Sequence, residues 1–306
     1  GVLPVLNEQV VQNAIAAGLA TNCEITQNCK FDRKNYFYPD LPKAFQTSQL
    51  YLPICRNGWV EINGGNGKKK VRIHQIHMEE DAGKLSHHDN TGETFIDYNR
   101  CGVPLMEIVS EALAAIMSYL GVSDCKLEEG SMRGDINVSI KPKGSSVLGT
   151  RTETKNLNSF KAITRAIEWE IDRQIDLLEN GEKVVQETRR WDDEKGIGYT
   201  MRSKENAHDY RYFPEPDLAP MHISDKWIAE VKAKIPELPQ QKQARYLNEW
   251  QLSEYDAGMI VRSKALALFC EETVALCNEP KEVVNFLMGD GLRLLNENGL
   301  DAKDMP

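Results

Sequence analysis

Val71-Arg72-Ile73-His74-Gln75-Ile76 runs directly into His77-Met78-Glu79-Glu80-Asp81-Ala82-Gly83-Lys84, and the reading of this junction decides the fold. The first six residues form a β-branched run that reads as a strand. A histidine and three acids then fall within five positions. Carboxylates crowded at a strand end repel one another unless a cation or a proton relieves them. That makes the cluster a candidate Mg2+ site. An acidic, solvated loop is the plainer reading of the same residues.

Outward from this junction, residues from about 35 to 154 show short strand-like runs: Val71–Ile76, Thr94–Tyr98, Val103–Val109 and Ile136–Ile140. Gly/Asn turns separate them, at Asn63-Gly64-Gly65-Asn66-Gly67 and Asn99-Arg100-Cys101-Gly102. Before them, Asn7 is placed to cap a helix carrying Val10, Val11, Ala14, Ile15, Gly18 and Leu19. After them, Asn158-Ser159 opens a helix with the stripe Phe160, Ile163, Ile167, Ile171, Ile175 and Leu178, closed by Asn180-Gly181. This pattern predicts an α+β fold with a mostly antiparallel sheet. Past residue 222 the strand signal disappears. Ser253 with Asp256 resembles a capping box for a helix through Met259, Ile260, Leu266, Ala267 and Cys270. Pro280 opens another with Val283, Val284, Leu287, Leu292 and Leu295. The sequence therefore divides into residues 1–222 and a smaller, all-helical domain at 223–306.

Composition bounds the function. A chain of 306 residues suggests two domains at roughly 150 residues each. No apolar run is long enough to span a membrane, and the first residues lack the pattern of a signal peptide. Seven scattered cysteines without a Cys-x-x-Cys pair argue against a disulfide framework and a closed zinc site, and fit reduced thiols in the cytoplasm. The net charge of −9 gives no bulk support for nucleic-acid binding. It leaves room for a local basic surface, because screening confines such effects to about 10 Å. There is no P-loop, no Gly-x-Gly-x-x-Gly and no Gly-x-Ser-x-Gly.

Glu107 is the sharpest single residue. Val103-Pro104-Leu105-Met106-Glu107-Ile108-Val109 is apolar on both strand faces, so it predicts a strand buried on both sides with a carboxylate in a nonpolar wall. Burying an unpaired charge costs several kcal/mol. Either a cation or a basic side chain pairs it, as in a structural arginine bridge, or its pKa rises. In Arg133-Gly134-Asp135-Ile136-Asn137-Val138-Ser139-Ile140 the apolar residues face a core, and Arg133, Asp135, Asn137 and Ser139 form a polar row. That row is either an ordinary exposed face or a ligand-lining one. Phe31–Asp40 interleaves cations with aromatics, with Lys43 close behind, which suits base stacking or a core strand. Arg202–Asp217 has the same mixture.

Six segments carry a resemblance. FDRKNYFYPDLPKAFQTSQ (31–49), HMEEDAGKLS (77–86), DYNRCGVPLMEIVSE (97–111), EGSMRGDINVSI (129–140), KNLNSF (155–160) and MRSKENAHDYRYFPEPD (201–217) resemble the B subunits of the GatCAB tRNA-dependent amidotransferases, in the order of that family. The resemblance implies an antiparallel-sheet cradle, a helical domain and a mobile tail. It implies a ligase polypeptide that uses ATP to phosphorylate the side-chain carboxylate of Glu-tRNA(Gln) or Asp-tRNA(Asn). Ammonia from a glutaminase partner, the A subunit of such complexes, then displaces the phosphate, and a small C subunit clasps the two. A tRNA-binding scaffold without chemistry is the rival role. By the same resemblance Glu80 and Glu107 are metal ligands, with Glu79 a third and Mg2+ the ion. Arg133, Asp135 and Asn137 face the nucleotide or the acyl group. Lys34 and Lys43 lie near the ammonia exit or the phosphates.

Three departures accompany it. The family pattern begins with a strand bearing a Glu-x-His pair and, in many members, a cysteine cluster, and residue 1 falls after both. That demotes His77 as a ligand. After Glu111 a loop and half a helix of the pattern are missing. The tail domain is absent after Pro306.

Overall fold

A computed structural model describes residues 3–64, 67–88, 91–108, 111–127, 131–203, 210–300 and 302–304. Two compact units compose it: Gly1–Val122 with Tyr212–Pro306, and Ser123–Arg211. This grouping rests on packing, whereas the boundary at 222 expected from the sequence rests on element type. Helices and antiparallel sheets are both present, as the α+β reading requires.

In the first unit the helix Glu8–Ala20 begins where the Asn7 side chain accepts a hydrogen bond from the Gln9 N–H. It buries Val11, Ala14, Ile15, Ala17 and Gly18. Gly18 is required by close packing, because a Cβ there would fall 2.4 Å from Cys55 Sγ. The central element is the hairpin Cys55–Gly64 and Gly67–Glu80, in register from Cys55↔Ile76 to Gly64↔Gly67. Glu24–Ile25 pairs on one side of it and Pro104–Glu107 on the other, all antiparallel. A second small sheet joins Phe213–Pro214, Asp32–Asn35 and Phe45–Ser48.

Two strand expectations need correction. The strand does not stop at Ile76; it continues through Glu80, so His77 and the first two acids lie on a strand and not in a loop. Pro104–Glu107 is an edge strand of its sheet, and Glu107 is not in an apolar wall: its side chain is 62% exposed. Apolar neighbours in sequence did not bury it, because an edge strand keeps one side open. Val109 and Ser110 fall outside the described residues, as do Gly65, Asn66, Glu129, Gly130 and 204–209; a helix begins at Glu111.

From Asp225 onward the described elements are helical. Tyr246, Ala257, Ile260, Ala267, Cys270, Val284 and Leu287 form their core, and Tyr119 of the helix Glu111–Leu120 joins it. Ser253 caps its helix as expected, but that helix ends at Val261. A new helix starts at Lys264, where Ser263 accepts a hydrogen bond from the Leu266 N–H and competes with helix continuation. The helix opened by Pro280 passes through a π-helical segment at Leu287–Gly291. That turn absorbs the five-residue step from Leu287 to Leu292 in the apolar pattern.

In the second unit, Gly134–Val138 pairs antiparallel with Thr152–Leu157, which runs parallel to Glu187–Asp192, which pairs antiparallel with Ile197–Ser203. The helix Phe160–Glu179, capped by Ser159, is the crossover between the parallel strands. Its isoleucine stripe is not the buried face: Ile175 and Leu178 are exposed, while Ala162, Ala166, Glu170 and Gln174 are buried. Small residues let the helix approach the sheet, and Trp191 and Trp169 fill the gap.

Glu170 is fully buried on this face. It accepts hydrogen bonds from Arg173 Nε at 2.9 Å, Thr152 Oγ1 at 2.7 Å and Gln174 Nε2 at 2.8 Å. Burial opposes its charge, but the bonds from Arg173, Gln174 and Thr152 outweigh burial and hold its carboxyl below the ordinary value of 4.5. A lowered carboxylate stabilises the fold above its unfolded pKa, and the contribution is lost as pH falls through the folded value. Glu170→Ala is therefore expected to cost about 3 kcal/mol in denaturant unfolding at pH 7, because it removes the buried acceptor shared by Arg173, Thr152 and Gln174. The difference from wild type is expected to shrink below about pH 4.5.

Candidate functional site

The antiparallel pairing of Gly67–Glu80 with Pro104–Glu107 sets His77 directly opposite Glu107, Glu79 opposite Leu105 and Glu80 opposite Pro104. Strand alternation sends His77 and Glu79 to one face and buried Met78 to the other. His77 Nε2 then lies 2.7 Å from Glu79 Oε1 and 3.0 Å from Glu107 Oε2. One ligand atom from each of these residues falls within 4.8 Å of the others. The imidazole bridges two carboxylates that would otherwise repel. Burial opposes its charge, yet the hydrogen bonds to Glu107 and Glu79 prevail and raise its pKa to about 9.

A divalent cation would do the same electrostatic work as that proton. Two carboxylate oxygens and one imidazole nitrogen form a donor set that suits Mg2+ with retained waters, and also Mn2+. Outer contacts fix the donors. Glu79 accepts hydrogen bonds from Ser48 Oγ at 2.8 Å and from Gln46 Nε2 at 3.2 Å, which aims its carboxylate.

Glu80, expected among the ligands, is placed elsewhere. Its carboxylate bonds Lys43 Nζ at 2.7 Å and the Thr47 N–H at 2.9 Å, and it is not part of the His77–Glu79–Glu107 trio. Lys43 also lies 4.6 Å from the Phe45 ring centroid. Lys34 pairs in register with Gln46, the residue that reaches Glu79, and its Nζ is 5.7 Å from the Tyr36 ring centroid. Arg33 is held by Glu215 through two hydrogen bonds of 2.8 Å, with Asp217 at 3.0 Å, which fastens Phe213–Pro214 to this strand. Beside it Phe37 is 92% exposed, and a shallow surface depression is lined by Phe37, Tyr38, Pro39, Leu41 and Ala44.

Arg133, Asp135 and Asn137 belong to the second unit and are exposed, with Val138 buried. Asp135 pairs with Lys155 on the adjacent strand, and Glu153 lies 3.5 Å from the same ammonium. Lys155 carries two flanking acids, which raise its pKa against the effect of burial. Sequence reasoning did not assign Lys155 or the Ser48 and Gln46 supports. It also set His77 aside. The signal for His77 was available in the alternation of 77 and 79, once the strand is continued past Ile76.

The chain matches the family model described as the GatB/GatE catalytic domain over residues 1–229. It is 61% identical over 319 aligned positions to the aspartyl/glutamyl-tRNA(Asn/Gln) amidotransferase B subunit of Lachnoclostridium phytofermentans, covering 100% of this chain and 67% of that protein. The proteins of the same description from Lachnospira eligens and Agathobacter rectalis are 59% and 60% identical. They cover 97% and 99% of this chain, and 65% and 66% of their own lengths. The chain thus spans about two thirds of the length of these curated relatives.

The geometry ranks the carboxylates. In calorimetric titration with Mn2+, Glu79→Ala and Glu107→Ala are each expected to weaken binding by at least about tenfold. Glu80→Ala, which removes the Lys43 partner, is expected to change it little. The reverse order would return Glu80 to the ligand set.

Proposed function

The chain belongs to the GatB/GatE family, and from that premise we propose that it carries the kinase and transamidase chemistry of a tRNA-dependent amidotransferase. The substrate is glutamate or aspartate mischarged on tRNA(Gln) or tRNA(Asn). A carboxylate is a poor acyl donor because its oxygen leaves badly. Transfer of the γ-phosphoryl group of ATP to that oxygen creates a good leaving group. Ammonia then attacks the carbonyl carbon, phosphate departs, and a proton is lost to give the amide. Such a transfer needs positioning and charge stabilisation more than a protein nucleophile.

The observation that carries this reading is the His77–Glu79–Glu107 convergence on paired strands. When bound there, Mg2+ supplies charge neutralisation to the phosphates. Glu79 and Glu107 would hold it, with Glu80 as an adjoining carboxylate, and His77, once neutral, would offer Nε2. Gln46 and Ser48 keep Glu79 aimed. Lys43 and Lys34 supply cations for the phosphates or line the ammonia exit. Arg133 and Asn137 contact the nucleotide or acyl group, and Lys155 orients Asp135.

In this reading residues 1–222 form the cradle for ATP and the tRNA 3′ end, and 223–306 the helical domain. The match of the family model to residue 229 supports that division. Ammonia arrives from the glutaminase partner, which the small C subunit holds in place, and the complex works in the cytoplasm. No helix among the described residues is long and apolar enough to cross a membrane.

The test uses the three-subunit enzyme. Glu107→Ala is expected to lower ATP turnover that depends on mischarged tRNA and Mg2+ by at least about a hundredfold, the scale of losing one preorganised electrostatic group. Turnover at the wild-type rate would remove Glu107 from the mechanism. Intact amidation in a Glu80→Ala/Glu107→Ala double variant would leave the chain a tRNA scaffold.

A further inference from the structure

The hairpin tip carries charge that the chemistry above does not use. Lys68, Lys70, Arg72 and His74 occupy alternate positions of Gly67–Glu80, so they share one face, and all four are exposed. Across the hairpin Trp59 pairs with Arg72 and Glu61 with Lys70, which puts Trp59 and Glu61 on the same face. Lys70 Nζ stands 3.8 Å from the ring centroid of the half-buried Trp59. Lys68 Nζ bonds Glu61 at 2.9 Å. Among the described residues neither Lys70 nor Arg72 forms an ion pair, because Glu61, opposite Lys70, is engaged by Lys68.

This is a basic strip on a chain whose net charge is −9. Like charges side by side on a sheet face repel, and nothing in the hairpin core requires them. Side chains two residues apart on a strand stand roughly 6.8 Å apart, the scale on which backbone phosphates recur. A row of exposed cations, one of them seated on an aromatic ring, suits a nucleic-acid backbone.

We propose that this hairpin face binds the phosphate backbone of RNA. Lys70 and Arg72 are the phosphate contacts, and Trp59 holds Lys70 upright. Contacts of this kind position a nucleic acid without reading its sequence. The proposal rests on the tRNA reading above and adds to it a second contact surface, built on residues outside the His77–Glu79–Glu107 cluster.

The test is filter binding of an uncharged tRNA transcript to the full three-subunit enzyme across a KCl series. Lys70→Gln/Arg72→Gln is expected to weaken binding about tenfold at low salt and to reduce the salt slope by about 1.5, the share of two phosphates. Lys70→Arg/Arg72→Lys is expected to keep the wild-type slope. A Gln variant that keeps its thermal midpoint and the full slope overturns the proposal. So does a Gln variant that no longer copurifies with its partners while tRNA binding persists, since the strip then serves a protein contact. If the wild-type enzyme binds no tRNA, the functional reading falls first and this proposal with it.

Discussion

One backbone register governs the site: the antiparallel pairing in which His77 faces Glu107. A one-residue slip of that pairing would send Glu107 to the opposite face of the sheet. The face is fixed by Met78 and Ile76, which are buried on the core side, so the strand cannot turn over without exposing them. The register is held at the start of the edge strand, where the Asp81 N–H donates to the Val103 carbonyl and the Gly102 N–H to the Asp81 carbonyl, each at 2.8 Å. Strand pairing thus brings two carboxylates to one imidazole, and their repulsion is relieved locally. The His77 imidazolium relieves it here, and a divalent cation would displace the proton.

The supports extend into the neighbouring small sheet. Phe45–Ser48 contributes Gln46 and Ser48 to Glu79, and the Thr47 N–H to Glu80. The same sheet is tied at its far edge by Arg33 to Glu215 and Asp217. A substitution at Glu215 would therefore reach the carboxylate cluster through backbone placement, without touching a ligand. In the second unit, Glu170 plays a comparable role by locking the crossover helix to the sheet that presents Asp135 and Asn137.

Local chemistry was legible in the sequence, and tertiary context was not. Asn7, Ser159 and Ser253 cap helices because a cap is decided within three residues. The strand Val71–Ile76 was legible from its β-branched run, whereas its partner Cys55–Gly64 was not read from the sequence. Glu107 was misread because apolar neighbours report composition, while exposure depends on which strand ends the sheet. The isoleucine stripe marked Phe160–Glu179 as a helix but did not mark its most buried positions, because close helix–sheet packing selected Ala162 and Ala166. Ser263 could have signalled the helix break, but the apolar spacing ran through it. Glu79 and Glu107 emerged from sequence together with Glu80, yet only the fold separates the one held by Lys43 from the two that meet His77.

The account depends on a divalent cation sitting between His77, Glu79 and Glu107. Anomalous diffraction from crystals of the full complex soaked in Mn2+ tests this most directly. A single peak bonded to His77 Nε2 and to the Glu79 and Glu107 carboxylates is the expected result. A peak on Glu80 beside Lys43, or full soaking with no peak at the trio, would contradict it.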